Sequence, residues 1–211
     1  MQPQILNILD IMKDLVSVQS DTGTKMEENM AERIAAYFRE DSYLSAHPDH
    51  WGLADTNDFL GRRVVWALKE GTSRKTLILP GHYDAVEIDC YGELKPLALK
   101  PEALREEMLR QKLGDELMQQ ELASGDWLPG RAAADMKGGL AIGLYELLTL
   151  PENAEIGVLF VAVCDEENVS AGMRGAVNVL LELKRRFALD YLATLVLEPQ
   201  LPLAGKEFMV Y

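Results

Sequence analysis

Apolar positions fall into two textures along this chain. Some segments repeat them at helical spacing, and others fill short continuous runs. Residues 4–17 put Ile5, Ile8, Leu9, Met12, Leu15 and Val16 on one stripe, the spacing of an amphipathic helix. Thr24-Lys-Met-Glu27 has the form of a capping box, with Thr24 as N-cap and Glu27 at N3. The helix it opens would place Met26, Met30, Ile34, Tyr37 and Phe38 on one side. Residues 62–68 predict a strand, residues 70–74 a turn, and residues 75–80 a second strand. The second strand is almost wholly apolar, as expected for a central strand covered on both faces. Residues 156–163 and 192–197 predict further strands, and residues 136–150 and 172–187 predict helices. Gly138, Gly139 and Gly143 predict a close approach of the 136–150 helix to the sheet. Strands alternating with helices predict an α/β domain with a mainly parallel sheet.

Residues 100–123 differ from the rest: charged, rich in Leu, Glu, Gln and Met, opening on Pro101 and interrupted by Gly114. They predict a helical insertion, split in two, with Pro101 at N1. No internal repeat or low-complexity stretch interrupts the pattern.

Composition narrows the function classes. A chain of 211 residues can bury one sizeable core and is most simply one domain. A net charge of -13 argues against nucleic acid and anionic membranes as partners, while leaving cations welcome. Cys90 and Cys164 have no paired spacing, so a reducing cytoplasm is expected. No signal-like segment opens the chain, and no apolar run approaches the ~18 residues of a membrane span.

The candidate chemistry sits where apolar runs end. His82-Tyr-Asp84 follows residues 76–80, Asp135 lies in the segment 129–139, Asp165-Glu166-Glu167 follows 157–164, and Glu198 follows 195–197. In open α/β sheets, sites form outside the carboxyl ends of strands. His82 and Asp84 alternate to one side, so a ligating imidazole could have its orienting carboxylate beside it. Each piece has a plain alternative. His82 could be a satisfied surface histidine, Asp135 a helix N-cap, Asp165-Glu167 a solvated loop, and Glu198-Pro199 an ordinary strand end. A glycosidase carboxylate pair is also conceivable within residues 165–167, but leaves His82 unexplained. The combination favours one metal centre, with one Glu binding metal and its neighbour acting as general base. His47 and His50 read as a surface loop, and Trp51, Trp66 and Trp127 as packing residues.

In order and context these residues resemble the dizinc exopeptidase and deacylase family, which includes acetylornithine deacetylase, succinyl-diaminopimelate desuccinylase and carboxypeptidase G. The resemblance rests on Gly81-His-Tyr-Asp84, Gly130-Arg-Ala-Ala-Ala-Asp-Met-Lys-Gly-Gly139, Asp165-Glu-Glu167 and Glu198-Pro199. It covers nearly the whole chain. It extends to the RocB-like arginine-utilisation branch through residues 84–89, the helical insertion, and residues 170–176. It implies a three-layer α/β/α catalytic domain with a mainly parallel mixed sheet. It also implies His82, Asp135, Glu167 and Glu198 as ligands, with Asp135 bridging two ions. Asp84 would orient His82, and Glu166 would be the general base. A cis peptide is implied between Asp135 and Met136. The cofactor implied is zinc, with cobalt or manganese compatible with a carboxylate-rich site. The substrate implied is an amide or peptide bond in a small N-acyl amino acid or peptide.

Two departures stand out. Ala132 occupies a position where the family usually carries Gly, which costs about 1 kcal/mol if φ there is positive. Family members also continue through a lid domain and return with a final histidine ligand, and no histidine follows His82 here. The expectation is therefore that residues 1–211 form the N-terminal part of a catalytic domain, without the lid or the C-terminal part. One tightly bound zinc and little hydrolysis would follow, along with self-association or docking of a missing half through an uncovered strand edge and the apolar tail 207–211. The competing expectation is a non-catalytic binding or assembly module with an incomplete metal site.

Overall fold

The computed structural model describes residues 7–199. Among these residues, seven α-helices and five strands run in the order α1 (Ile8–Ser17), α2 (Met26–Glu40), α3 (Ser42–Ala46), β1 (Trp51–Asp55), β2 (Arg63–Lys69), β3 (Lys75–His82), α4 (Pro101–Gln111), α5 (Glu116–Ser124), α6 (Gly139–Thr149), β4 (Gly157–Val163), α7 (Ala171–Arg186) and β5 (Asp190–Thr194). The strands form one sheet in the order β1-β2-β4-β3-β5. The pairs β3–β4 and β3–β5 are parallel, and β1–β2 and β2–β4 are antiparallel. The sheet is thus evenly mixed. The tight turn after β2 explains this: it reverses the chain into β3, because so short a link cannot make a parallel crossover. β4 then inserts between the two, parallel to β3.

Alternation along the strands divides the interior. Val65 and Ala67 of β2, Leu79 of β3 and Phe160 and Ala162 of β4 face Ile11 and Leu15 of α1, Ile34 and Phe38 of α2, and Leu140 and Leu144 of α6. Val64, Trp66 and Leu68 of β2, Ile78 of β3 and Leu159 and Val161 of β4 face Ala176, Val179 and Leu183 of α7. Helices therefore cover both faces, and the α/β/α layering holds. β4 is buried at every position, which is why it reads as a continuous apolar run.

Strand β1 was not legible in the sequence. Gly, Ala and Asp are poor strand formers, and Trp51–Asp55 is set by its register against β2, with Gly52 opposite Trp66. A side chain at Gly52 would press on the Trp66 ring at 3.2 Å. Residues 101–124 form two helices, as the pattern predicts, with Pro101 in the first turn of α4 and Gly114 at φ +81 between α4 and α5. The glycine-rich helix approaches the sheet closely at Gly143, where a Cβ would lie 3.4 Å from the Phe160 ring of β4, and Gly139 lies against the Leu197 carbonyl after β5. The capping box is only half formed. Thr24 Oγ1 accepts from Met26 N at 3.1 Å, but Glu27 turns into the interior and meets Arg62. Among the described residues, no helix is long and apolar enough to cross a membrane. The tail 207–211 lies outside the described residues.

Candidate metal centre

β3 and β4 end side by side, with His82 opposite Val163 in the parallel ladder. That register delivers His82-Tyr-Asp84 and Asp165-Glu166-Glu167 to one edge of the sheet. The irregular turn Ala133–Gly138, leading into α6, brings Asp135 over the same edge. The segment after β5, anchored by Leu195 N donating to Ile78 O at 2.9 Å, brings Glu198.

The imidazole of His82 lies at the centre. Its Nε2 is 2.8 Å from Asp135 Oδ1 and 3.6 Å from Glu198 Oε1. Ligand atoms of His82, Asp135 and Glu167 all lie within 4.8 Å of one another. On the far side, His82 Nδ1 faces the Asp84 carbonyl oxygen at 3.1 Å and Asp84 Oδ1 at 3.5 Å. Both are acceptors, so Nδ1 keeps its proton, and Nε2, which faces Asp135 Oδ1, is the nitrogen that could ligate a metal once its own proton is lost. His82 is 1% exposed and Asp84 0%, whereas Asp135 is 58% exposed.

Asp84 joins two parts of the site. Its Oδ1 accepts from Glu166 N at 3.0 Å, and its Oδ2 accepts from Glu167 N at 3.2 Å and from the Thr22 hydroxyl at 2.9 Å. Burial alone would raise the Asp84 carboxyl, but these donors and His82 hold it below the usual carboxylate range. For His82, burial disfavours the imidazolium, yet Asp84, Asp135 and Glu198 outweigh it and push the pKa up to about 9. Glu167 is raised by burial and by Asp135. Glu198 is raised by burial, with Asp135 and Glu166 adding repulsion against the pull of His82. A histidine ringed by crowded carboxylates, some of them held above their ordinary pKa, is a donor set that fits a divalent cation.

The peptide between Asp135 and Met136 is cis. Ala132 sits at φ 59, the left-handed region in which the sequence departure matters. Lys137, read only as part of a helix start, is fully buried. Its Nζ donates to Val18 O at 2.7 Å, and burial pushes its pKa down to about 7. Thr22 and Lys137 carried no sequence signal, since each meets its partner only through the fold. His47 and His50 lie away from this edge, and His50 Nε2 meets Glu70 at 3.1 Å.

The sequence description of peptidase family M20/M25/M40 matches residues 78–211. The chain belongs to this M20 family. It is 37% identical over 195 residues to the uncharacterized protein YqjN of Bacillus subtilis (strain 168), covering 91% of this chain and 35% of that protein. It is 35% identical over 187 residues to the protein RocB of the same strain, covering 86% and 33%. The chain thus spans about a third of the length of these curated relatives. An M20 family metallo-carboxypeptidase, Sso-CP2 from Sulfolobus solfataricus, has the same fold, with a TM-score of 0.56 at 16% identity, covering 89% of this chain and 37% of that one.

Proposed function

We propose that this chain is part of the catalytic domain of a metal-dependent hydrolase of amide or peptide bonds in small N-acyl amino acids or peptides. The carrying observation is the convergence of His82, Asp135 and Glu167 ligand atoms within 4.8 Å, with Glu198 beside them. His82, Asp135 and Glu198 would hold one zinc ion, three protein ligands being enough for a catalytic-type site. Asp135 and Glu167 would hold a second, with cobalt or manganese as alternatives. Such an ion supplies Lewis acidity toward the amide carbonyl and toward water.

The residues of this chain do the rest. Asp84 keeps the proton on His82 Nδ1 and so keeps Nε2 free to ligate. Glu166 is exposed at the edge of the cluster, its backbone fixed by Asp84, where its carboxylate can take a proton from the attacking water and return it to the leaving amine. The helices 101–124 are proposed as an insertion on this domain. Likeness to RocB favours a substrate tied to arginine utilisation, and two free cysteines favour a cytoplasmic setting. Parts of the whole protein beyond this span are proposed to complete the second ion's ligands, or a second copy to do so by self-association.

The test is hydrolysis of a panel of N-acyl amino acids and dipeptides by the zinc-loaded full-length protein and by this chain. Activity lost in Glu166→Gln with metal retained is expected. Stoichiometric zinc binding without hydrolysis by the full-length protein would favour the binding-module reading, and no zinc binding at all would overturn the proposal.

A further inference from the structure

The consecutive acids Asp165, Glu166 and Glu167 do not share an environment: Glu166 and Glu167 are exposed, and Asp165 is buried. Asp165 has a left-handed backbone, φ 64, and its side chain is directed into the protein. There Oδ1 accepts from Arg62 Nη1 at 2.7 Å and Oδ2 accepts from Ala171 N at 3.1 Å. Arg62 Nη1 also donates to Glu27 Oε1 at 2.8 Å, and Arg62 Nε donates to Asp58 Oδ2 at 2.6 Å. Glu27 closes the ring, its Oε2 accepting from Asp165 N at 2.9 Å and its Oε1 from Gly23 N at 2.7 Å. The side chains of Arg62, Glu27 and Asp165 are all sealed from solvent.

We infer that Arg62 is a positioning residue for the candidate metal centre. It grips Asp165 and Glu27 and thereby fixes the turn that presents Glu166 and Glu167 to His82 and Asp135. The turn has two anchors. Asp84 takes the Glu166 and Glu167 amides from the site side, and Arg62 holds Asp165 from the interior. Extending the β2–β4 register, in which Val65 faces Ala162, puts Arg62 opposite Asp165. The ion pair is therefore a continuation of the sheet and ties the turn to its most rigid part. A guanidinium suits this task because its planar fork reaches several carboxylates at once, and a lysine ammonium does not reproduce that geometry. Breaking a buried pair leaves uncompensated charge, which would relax by moving the turn.

The inference rests on the metal-site reading, so the test separates the two. Zinc affinity of the full chain would be measured by chelator competition, alongside hydrogen exchange of the amides of residues 165–167. Arg62→Gln and the milder Arg62→Lys are each expected to lose about tenfold in affinity or more, the scale of outer partners of metal ligands, and to lose exchange protection at 165–167. Leu68→Ala, a buried truncation toward the other end of β2, controls for general loss of stability. It should lower the melting temperature without changing affinity. Unchanged affinity in both Arg62 variants would overturn the inference while leaving the metal site intact, as would affinity that falls equally in Leu68→Ala. Should neither Arg62 variant fold, the unaltered chain decides: exchange at 165–167 as fast as an open loop would overturn the inference. Absence of zinc binding in the unaltered chain would instead remove the metal-site reading.

Discussion

The two sides of the candidate metal centre are built on different principles. His82 ends β3, and Asp84 and the 165–167 turn continue β3 and β4, two strands deep in the sheet. Asp84 is held by the Glu166 and Glu167 amides after β4 and by the Thr22 hydroxyl. Asp135 and Glu198 arrive on irregular chain, and their side chains are 58% and 38% exposed. One side is preorganised by the sheet; the other is positioned by turns with fewer constraints. A metal bound here should take most of its affinity from the rigid side, because ligands fixed before binding lose little entropy on coordination.

The strongest challenge to that contrast is removal of the central ligand. His82→Ala should reduce zinc affinity by more than about 100-fold, beyond the range for outer partners, whereas Glu198→Gln, on the more exposed side, should cost less, about 100-fold at most. Chelator competition on both variants checks this, and equal losses would mean the two sides are equally organised. Asp84→Asn comes next. It leaves the tautomer of His82 and the Glu166 and Glu167 amides without a full carboxylate, so affinity should fall by about 10–100-fold. Stability should fall by about 1–3 kcal/mol, read from denaturant unfolding of the metal-free chain.

The pH response is smaller and sharper in form. His82 must lose its imidazolium proton to ligate, so zinc affinity should rise about tenfold per pH unit toward pH 9 and then level off. In the metal-free chain His82 contributes the opposite trend. The His82 pKa is raised above its ordinary 6.5, so its contribution to stability is complete below that pH and is lost as pH rises through about 9. Raised Glu167 and Glu198 have the same sign, since protonation favours the folded state. Buried Lys137, pushed down to about 7, gives the melting temperature a slope of opposite sign over this range. The imidazole titration of His82 in the metal-free chain, followed by NMR, is therefore the check, and a midpoint at the ordinary 6.5 would contradict the carboxylate cage around His82. The smallest effect is expected at Ala132, whose φ of 59 penalises a Cβ. Ala132→Gly should stabilise the chain by about 1 kcal/mol, seen as a higher denaturant midpoint.

Much of the rigid side could be read directly. Residues 75–80 and 157–163 are continuous apolar runs ended by His82 and by Asp165-Glu166-Glu167, and both are strands whose ends meet. The turn side was legible mainly through the spacing of residues 130–139 and 198–199, because nothing local in Asp135 or Glu198 separates a ligand from a cap or a strand end. At 165–167 the sequence assigns Glu166 and Glu167 separate roles, general base and ligand, and assigns Asp165 none. In the fold Asp165 is buried and pairs inward with Arg62, while Glu166 and Glu167 are exposed. Glu27 is the instructive miss, for its capping pattern was satisfied only in part and its carboxylate went to the interior.

The amino-acid sequence by itself determined which segments are strands and helices in the core, because burial on one or both faces writes a period into the chain. It also determined the set of ligand-type residues and their place at strand ends. Only the tertiary structure decided the direction of β2 relative to β4, the existence of β1, the contact of Arg62 with Asp165 and Glu27, and the hold of Thr22 on Asp84. These depend on register and on partners far apart along the chain, and local periodicity carries no record of which distant residue a side chain will meet.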